Sequence, residues 1–192
     1  MFLPPSLRRR PALPLALGAA ALLSLLALSA CATRVPQGIE PVSFDLDRYA
    51  GHWYEVARID HRFEKGLVRT SAHYSRNPDG TIRVVNRGFD PKRQQWKESV
   101  GKARFVGEPT QAALKVSFFG PFYGGYNVVA LDPKYQWAMV VGSSLDYFWI
   151  LSRTPVLAEN VQQQLLLQAR NLGVDEQQVL WVLQDGANTT GR

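Results

Sequence analysis

The stretch "YAGHWYEVARIDHRFEKG", residues 49–66, sets the reading of the whole chain. Gly51-His52-Trp53 opens a run from Trp53 to Asp60, and behind it short strands recur with turn signals roughly every ten residues, the rhythm of an all-β barrel or sandwich. The predicted strands are 53–60, 68–76, 81–89, 95–105, 111–118, 125–131, 136–142 and 147–152. The segment "RNPDGT" (76–81) predicts a tight hairpin in which Asp79-Gly80 takes positive backbone dihedrals. Two further turns, "FDPKRQ" (89–94) and "LDPKYQ" (131–136), are built on Asp-Pro, and "GEPT" (107–110) makes another.

After the eighth strand the pattern changes to a helix. Thr154 is its expected cap, Pro155 its first residue and Gly173 the residue beyond its end. Leu157, Val161, Leu165 and Leu172 form its apolar stripe, and "VLWVL" (179–183) predicts a last short strand. Eight antiparallel strands closing on themselves leave room for one small ligand. With Trp53 at one end and strands alternating up and down, the turns at 77–80, 105–110 and 131–135 share that end with Arg153.

A Gly-x-Trp at the start of the first strand (Gly51, Trp53) and an arginine just after the last (Arg153) resemble the lipocalin signature. The resemblance implies an eight-stranded up-and-down antiparallel lipocalin barrel with one C-terminal α-helix. It also implies that Arg153 stacks on the Trp53 indole at the closed end. Leu131-Asp132 with Tyr135 resembles the family's Thr-Asp-Tyr motif, lacking the threonine and with the tyrosine displaced. Three longer stretches, "HWYEVARIDHRFEKGL", "ALKVSFFGPFYGGYNVVALD" and "DYFWILSRTP", are similar to the outer-membrane lipocalins of Gram-negative bacteria, relatives of apolipoprotein D. The likeness runs from about Phe44 to Gln184. It implies an outer-membrane lipoprotein that binds fatty acids or lysophospholipids for membrane maintenance or stress, with a homodimer as a further expectation.

The first thirty residues read as a secretory leader. Arg8, Arg9 and Arg10 precede an apolar run from Ala12 to Leu28, and small residues lead to Cys31. An uncleaved anchor helix is the alternative, but the run is interrupted by Pro14 and marginal for a span of roughly 20 apolar residues. Leu28-Ser29-Ala30-Cys31 resembles a bacterial lipobox, which implies cleavage before Cys31 and its acylation; Ala32 in place of aspartate implies the outer membrane, facing the periplasm. With no second cysteine in the chain, Cys31 has no disulfide partner. The organisation is therefore a cleaved signal peptide (1–30), a lipidated tether (31–44), a lipocalin domain (45–186) and a tail (187–192). Without the three leader arginines the chain has 19 basic and 16 acidic residues, a net of +3 with no basic run. That balance does not point to nucleic acid.

Strand alternation proposes a cavity lining. The chosen face carries Thr70, Ala72 and Tyr74, then Val84 and Asn86, then Ser99, Gly101 and Ala103. It continues with Leu114, Val116 and Phe118, then Tyr126 and Val128, Met139 and Val141, and finally Tyr147 and Trp149. Of these, Tyr74, Val84, Asn86, Leu114, Val116, Phe118, Tyr126, Met139, Tyr147 and Trp149 are the candidate ligand contacts. Phe119, Phe122 and Tyr123 form an aromatic loop at the mouth, with Arg62, Glu64 and Lys65 on another mouth loop.

Nothing in the chain spells a catalytic centre or calls for a cofactor. His52, His61 and His73 lack metal-ligand spacing, and there is no Gly-x-Ser-x-Gly elbow. Glu55 is expected inside, raised in pKa or ion-paired with an arginine. The leading expectation is a non-enzymatic carrier. The alternatives are a binder of a haem-like or isoprenoid molecule, and an envelope enzyme or interaction module on the same scaffold.

Overall fold

The computed structural model describes residues 35–185, so the leader, Cys31 and the tail at 187–192 lie outside the described residues. Eight strands follow one another: β1 Gly51–Ile59, β2 Val68–Arg76, β3 Ile82–Asp90, β4 Gln95–Phe105, β5 Ala113–Phe119, β6 Phe122–Leu131, β7 Trp137–Val141 and β8 Phe148–Ser152. Each pairs antiparallel with the next, and β8 returns to β1, which also pairs β2; the sheet is a closed barrel. A ninth strand, β9 (Val179–Trp181), takes the edge of β1 at Ala57–Ile59, beyond the last β2 pair at Tyr54.

Two α-helices and a short 3-10 turn (Glu176–Gln178) complete the fold among the described residues. A short α1 (Leu46–Tyr49), which the strand pattern did not anticipate, is capped by Asp45, whose carboxylate accepts from the Asp47 and Arg48 N–H groups. The C-terminal helix, α2 (Glu159–Asn171), starts later than expected. Thr154 does not cap it: the Thr154 hydroxyl donates to the Val156 carbonyl, residues 153–156 form a bend, and Ala158 is the cap. Leu157 is buried ahead of the helix, while Leu165 and Ala169 are fully buried within it. Its end is as expected. Gly173 has φ +89°, and the Gly173 and Val174 N–H groups close back on Arg170 and Ala169.

The turns rest on side-chain carboxylates. Asp132 accepts from the Lys134 and Gln136 N–H groups, and Asp90 from those of Lys92 and Arg93. In the 76–81 hairpin only Gly80 has a positive φ; Asp79 instead braces the turn by accepting from the Thr81 N–H.

Two apolar cores share one sheet. Phe44, Trp53, Tyr74, Val84, Leu114 and Val140 pack inside the barrel. Val56, Met139, Val141, Phe148 and Ile150 pack outside it beneath Leu165 and Ala169 of α2. Met139 and Val141, expected in the cavity, therefore belong to the outer core, and Ala138 and Val140 take the inner face. Because α2 covers β7, both faces of that strand are apolar and its sequence shows no alternation from which to choose.

The barrel is not sealed along its full height. β4 pairs with β5 only from Lys102 to Phe105, whereas it pairs with β3 over most of its length, from Gln95 to Ala103. The seam between β4 and β5 is open toward the mouth, and Ser99, expected inside, is exposed there. At the foot of the slit the Phe118 ring lies against Gly101; a β-carbon at Gly101 would come within 2.8 Å of it.

At the opposite end Trp53 is fully buried, and its indole N–H donates to the Tyr49 carbonyl at 2.7 Å. The Arg153 guanidinium sits 3.8 Å from the centre of the Trp53 ring. It also donates to the carbonyls of His52 (2.7 Å) and of Arg48, Tyr49 and Ala50 (3.0 Å each), acceptors that the end of α1 leaves unpaired. Gly51 makes this approach available: its φ of +97° is one that residues with a β-carbon rarely adopt. Arg153→Ala should lower stability by about 2–4 kcal/mol from lost stacking and hydrogen bonds. Arg153→Lys should recover only part, because one ammonium cannot span that fan of carbonyls. Chemical denaturation measures both; an unchanged midpoint in the alanine variant would refute the role given to this contact.

Candidate ligand cavity

The barrel encloses a cavity of about 90 Å³. Its floor is α1, with Phe44, Leu46 and Tyr49, and its walls include Ala72, Ile82, Ala103 and Leu151. Of the candidate contacts, Tyr74, Val84, Asn86, Leu114, Val116, Phe118, Tyr126 and Trp149 line it. Met139 does not, for the reason given above. Tyr147 does not line it either; it packs against His61 and Trp149, with ring centres 5.4 and 6.4 Å away. Leu46 and Tyr49 were not foreseen, since the short α1 carries no repeating pattern. The local signal was Asp45, a capping residue three positions before Arg48.

Three phenols meet inside the cavity. The Tyr126 hydroxyl is 2.6 Å from that of Tyr49 and 2.8 Å from that of Tyr74. Burial pushes all three above the usual phenol range, so they stay neutral at physiological pH. Two hydrogen bonds among three hydroxyls consume two of three protons. One O–H is left to donate to a guest.

The other end of the cavity is ionic. Arg58, almost wholly buried, donates through Nη1 to Glu55 Oε1 (2.8 Å) and through Nη2 to Asp60 Oδ1 and the Glu64 and Leu67 carbonyls (3.0 Å each). The Thr70 hydroxyl also donates to Glu55 Oε1 at 3.1 Å. Gln184 fastens the C-terminal segment here, its amide donating to the Glu55 and Thr70 carbonyls at 2.7 and 2.9 Å. Glu64 reaches in from the β1–β2 loop and accepts from the Trp149 indole N–H at 3.0 Å. His61 Nε2 is 3.1 Å from Glu64 Oε2 but is not aligned for a hydrogen bond. Asn86 Oδ1 is buried with no hydrogen-bond partner among the described residues.

One guanidinium thus faces several carboxylates. Burial, reinforced by the Glu64 charge, pushes the Glu55 carboxyl up to about 8, against the pull of Arg58 and Thr70. Burial alone would raise Glu64 as well, but His61, the Trp149 N–H and Arg58 hold it below its ordinary value. Glu55 is therefore both raised and paired with an arginine. His52 and His73 are neighbours across β1 and β2, away from this network, and among the described residues no three His, Cys, Asp or Glu side chains are placed to hold a metal.

Comparison with known proteins agrees with this geometry. A family profile described as "Lipocalin-like domain" matches residues 44–184. The chain is 51% identical over 174 residues to the outer membrane lipoprotein Blc of Escherichia coli K12, covering 90% of this chain and 98% of the relative. It is 45% identical over 152 residues to the outer membrane lipoprotein Blc of Vibrio cholerae, covering 78% and 89%. Insecticyanin from the tobacco hornworm Manduca sexta superposes with a TM-score of 0.61 at 22% identity, over 78% of this chain and 86% of that one, a likeness of fold.

The Glu55 titration gives a pH test. Between the ordinary carboxyl range and about 8, the folded protein keeps a proton that the unfolded chain has released. Its contribution to stability is therefore complete at acidic pH and lost as pH rises through about 8. Glu55→Gln mimics the protonated state and should flatten the decline in denaturation midpoint between about pH 5 and 8. Equal slopes for the two proteins would place the titration elsewhere.

Proposed function

Because the chain belongs to the lipocalin family, we propose that its barrel carries a single-chain amphiphile, a fatty acid or a lysophospholipid, for lipid storage or transport in membrane maintenance or stress. The observation that carries this reading is the composition of the cavity: aliphatic and aromatic walls with polar groups gathered at its two ends. An alkyl chain gains about 25 cal/mol for each Å² of apolar surface it buries. The spare hydroxyl proton of the tyrosine cluster and the Glu64–Trp149 pair can hydrogen-bond polar groups of the guest.

We further propose that Cys31 is acylated and tethers the barrel to the outer membrane on its periplasmic side; Ile39 to Phe44, expected within the tether, instead pack onto the barrel, the Val42 N–H donating to the Val128 carbonyl at 2.9 Å. Two or more acyl chains anchor a protein stably where one does not. Relatives named as outer membrane lipoproteins, and the lipobox-like Leu28–Cys31, support this placement.

Two measurements test the proposal. Organic extraction and mass spectrometry of protein purified from cells should reveal a bound fatty acid or lysophospholipid, each distinguishable by mass. Val84→Trp, which puts an indole into the cavity, should weaken uptake of a fluorescent fatty-acid analogue at least about tenfold while the protein stays folded by circular dichroism. Empty wild-type protein that also takes up no analogue would overturn the reading. For the anchor, Cys31→Ala should leave the protein unlipidated and released from washed membranes; an intact leader holding it there would favour the uncleaved helix.

A further inference from the structure

We propose that the mouth of the barrel and the open β4–β5 seam together form a docking face for an anionic lipid bilayer. The inference concerns the outer surface and stands apart from the identity of the guest in the cavity. Large apolar side chains are unusually exposed along this rim: Phe119 at 71%, Phe122 at 67%, Phe63 at 60% and, on β4, Trp96 at 47%. Phe119 and Phe122 flank one side of the slit and Trp96 the other, with Phe118 at its foot against Gly101. Such a cluster marks a surface that is covered in use.

Charge identifies what covers it. Cations accompany the rim aromatics: Arg62 lies 4.7 Å from the Phe63 ring and Lys115 5.3 Å from Tyr123, while Arg87, 5.0 Å from Trp96, is itself paired with Glu98. Lys65, Lys92 and Arg93 stand exposed on the same set of loops. The acidic groups nearby are mostly spent. Glu64 is turned inward, Asp90 is bound by Lys97 at 3.0 Å and Glu98 by Arg87 at 3.6 Å, which leaves Asp146 without a cationic partner among the described residues. Aromatic rings interleaved with cations suit the boundary between phosphates and acyl chains, where rings enter the interface and cations meet the anionic surface. A flat protein partner would need a continuous packed patch, whereas these rings stand on three elements around an opening: Phe63 on the β1–β2 loop, Trp96 on β4, and Phe119 with Phe122 on the β5–β6 hairpin. Docked this way, a lipid tail can pass Phe118 into the cavity without crossing water.

The test uses the chain from Ala32 onward, which keeps every described residue and lacks the acylated cysteine. It should co-sediment with phosphatidylglycerol–phosphatidylethanolamine vesicles, about tenfold more tightly than with phosphatidylcholine vesicles, and the preference should shrink as salt is raised. The double variant Phe119→Ser/Phe122→Ser should lose binding about tenfold or more while keeping its denaturation midpoint and its uptake of the fluorescent fatty-acid analogue. Wild-type protein that ignores anionic vesicles, binds both kinds equally at every salt, or is matched by the double variant overturns the proposal. So does a wild-type dimer that the double variant converts to monomer, which would assign the rings to a second copy. Vesicle binding without analogue uptake supports the docking face and counts against the lipid-carrier reading alone.

Discussion

The guanidinium of Arg153 joins the two ends of the barrel sequence at one place. It leaves the end of β8, covers the indole at the start of β1, and collects the carbonyls with which α1 terminates. A closed sheet needs its first and last strands fixed to each other, and here that junction doubles as the floor of the cavity. The contact is concentrated in one planar group, and the aromatic packing of Tyr49 on Trp53, with ring centres 4.7 Å apart, extends it inward. Remove the plate and α1 loses its seat; with it goes the wall that separates the cavity from solvent at this end.

That junction was legible in the chain because its parts are rare residues at fixed places, Gly51, Trp53 and Arg153. The strands were legible because turn residues punctuate them. What the chain hides has a physical cause in each case. β7 is apolar on both faces because α2 covers its outer side, so Met139 and Val141 read as well as Ala138 and Val140 for the lining. A bulge between Val128 and Ala130 breaks the parity of the neighbouring strand at the same height. The start of α2 followed local capping rules that Thr154 satisfies in a bend instead. The opening beside β4 depends on where pairing with β5 stops, which no single-strand pattern records.

The polar interior follows a different logic from the apolar lining. Arg58 was unremarked in the pattern, yet it organises the mouth by binding its own strand at Glu55, the loop at Asp60 and Glu64, and Leu67 just ahead of β2. A buried cation of this kind is held by its partners and in turn holds the loop that presents Glu64 to the cavity. Removing one partner would leave an uncompensated charge, so the loop and the wall are linked.

The free margin of β4 carries one more consequence. Between Gln95 and Gly101 its backbone bonds to β3 on one side only, which leaves a row of amides and carbonyls able to template a strand from another copy. Lys97 and Glu98 lie in the middle of that row, each held by an ion pair to β3. Their charges would be stripped of water by any incoming strand. Those two side chains thus discourage neighbouring barrels from knitting into a shared sheet at high surface density.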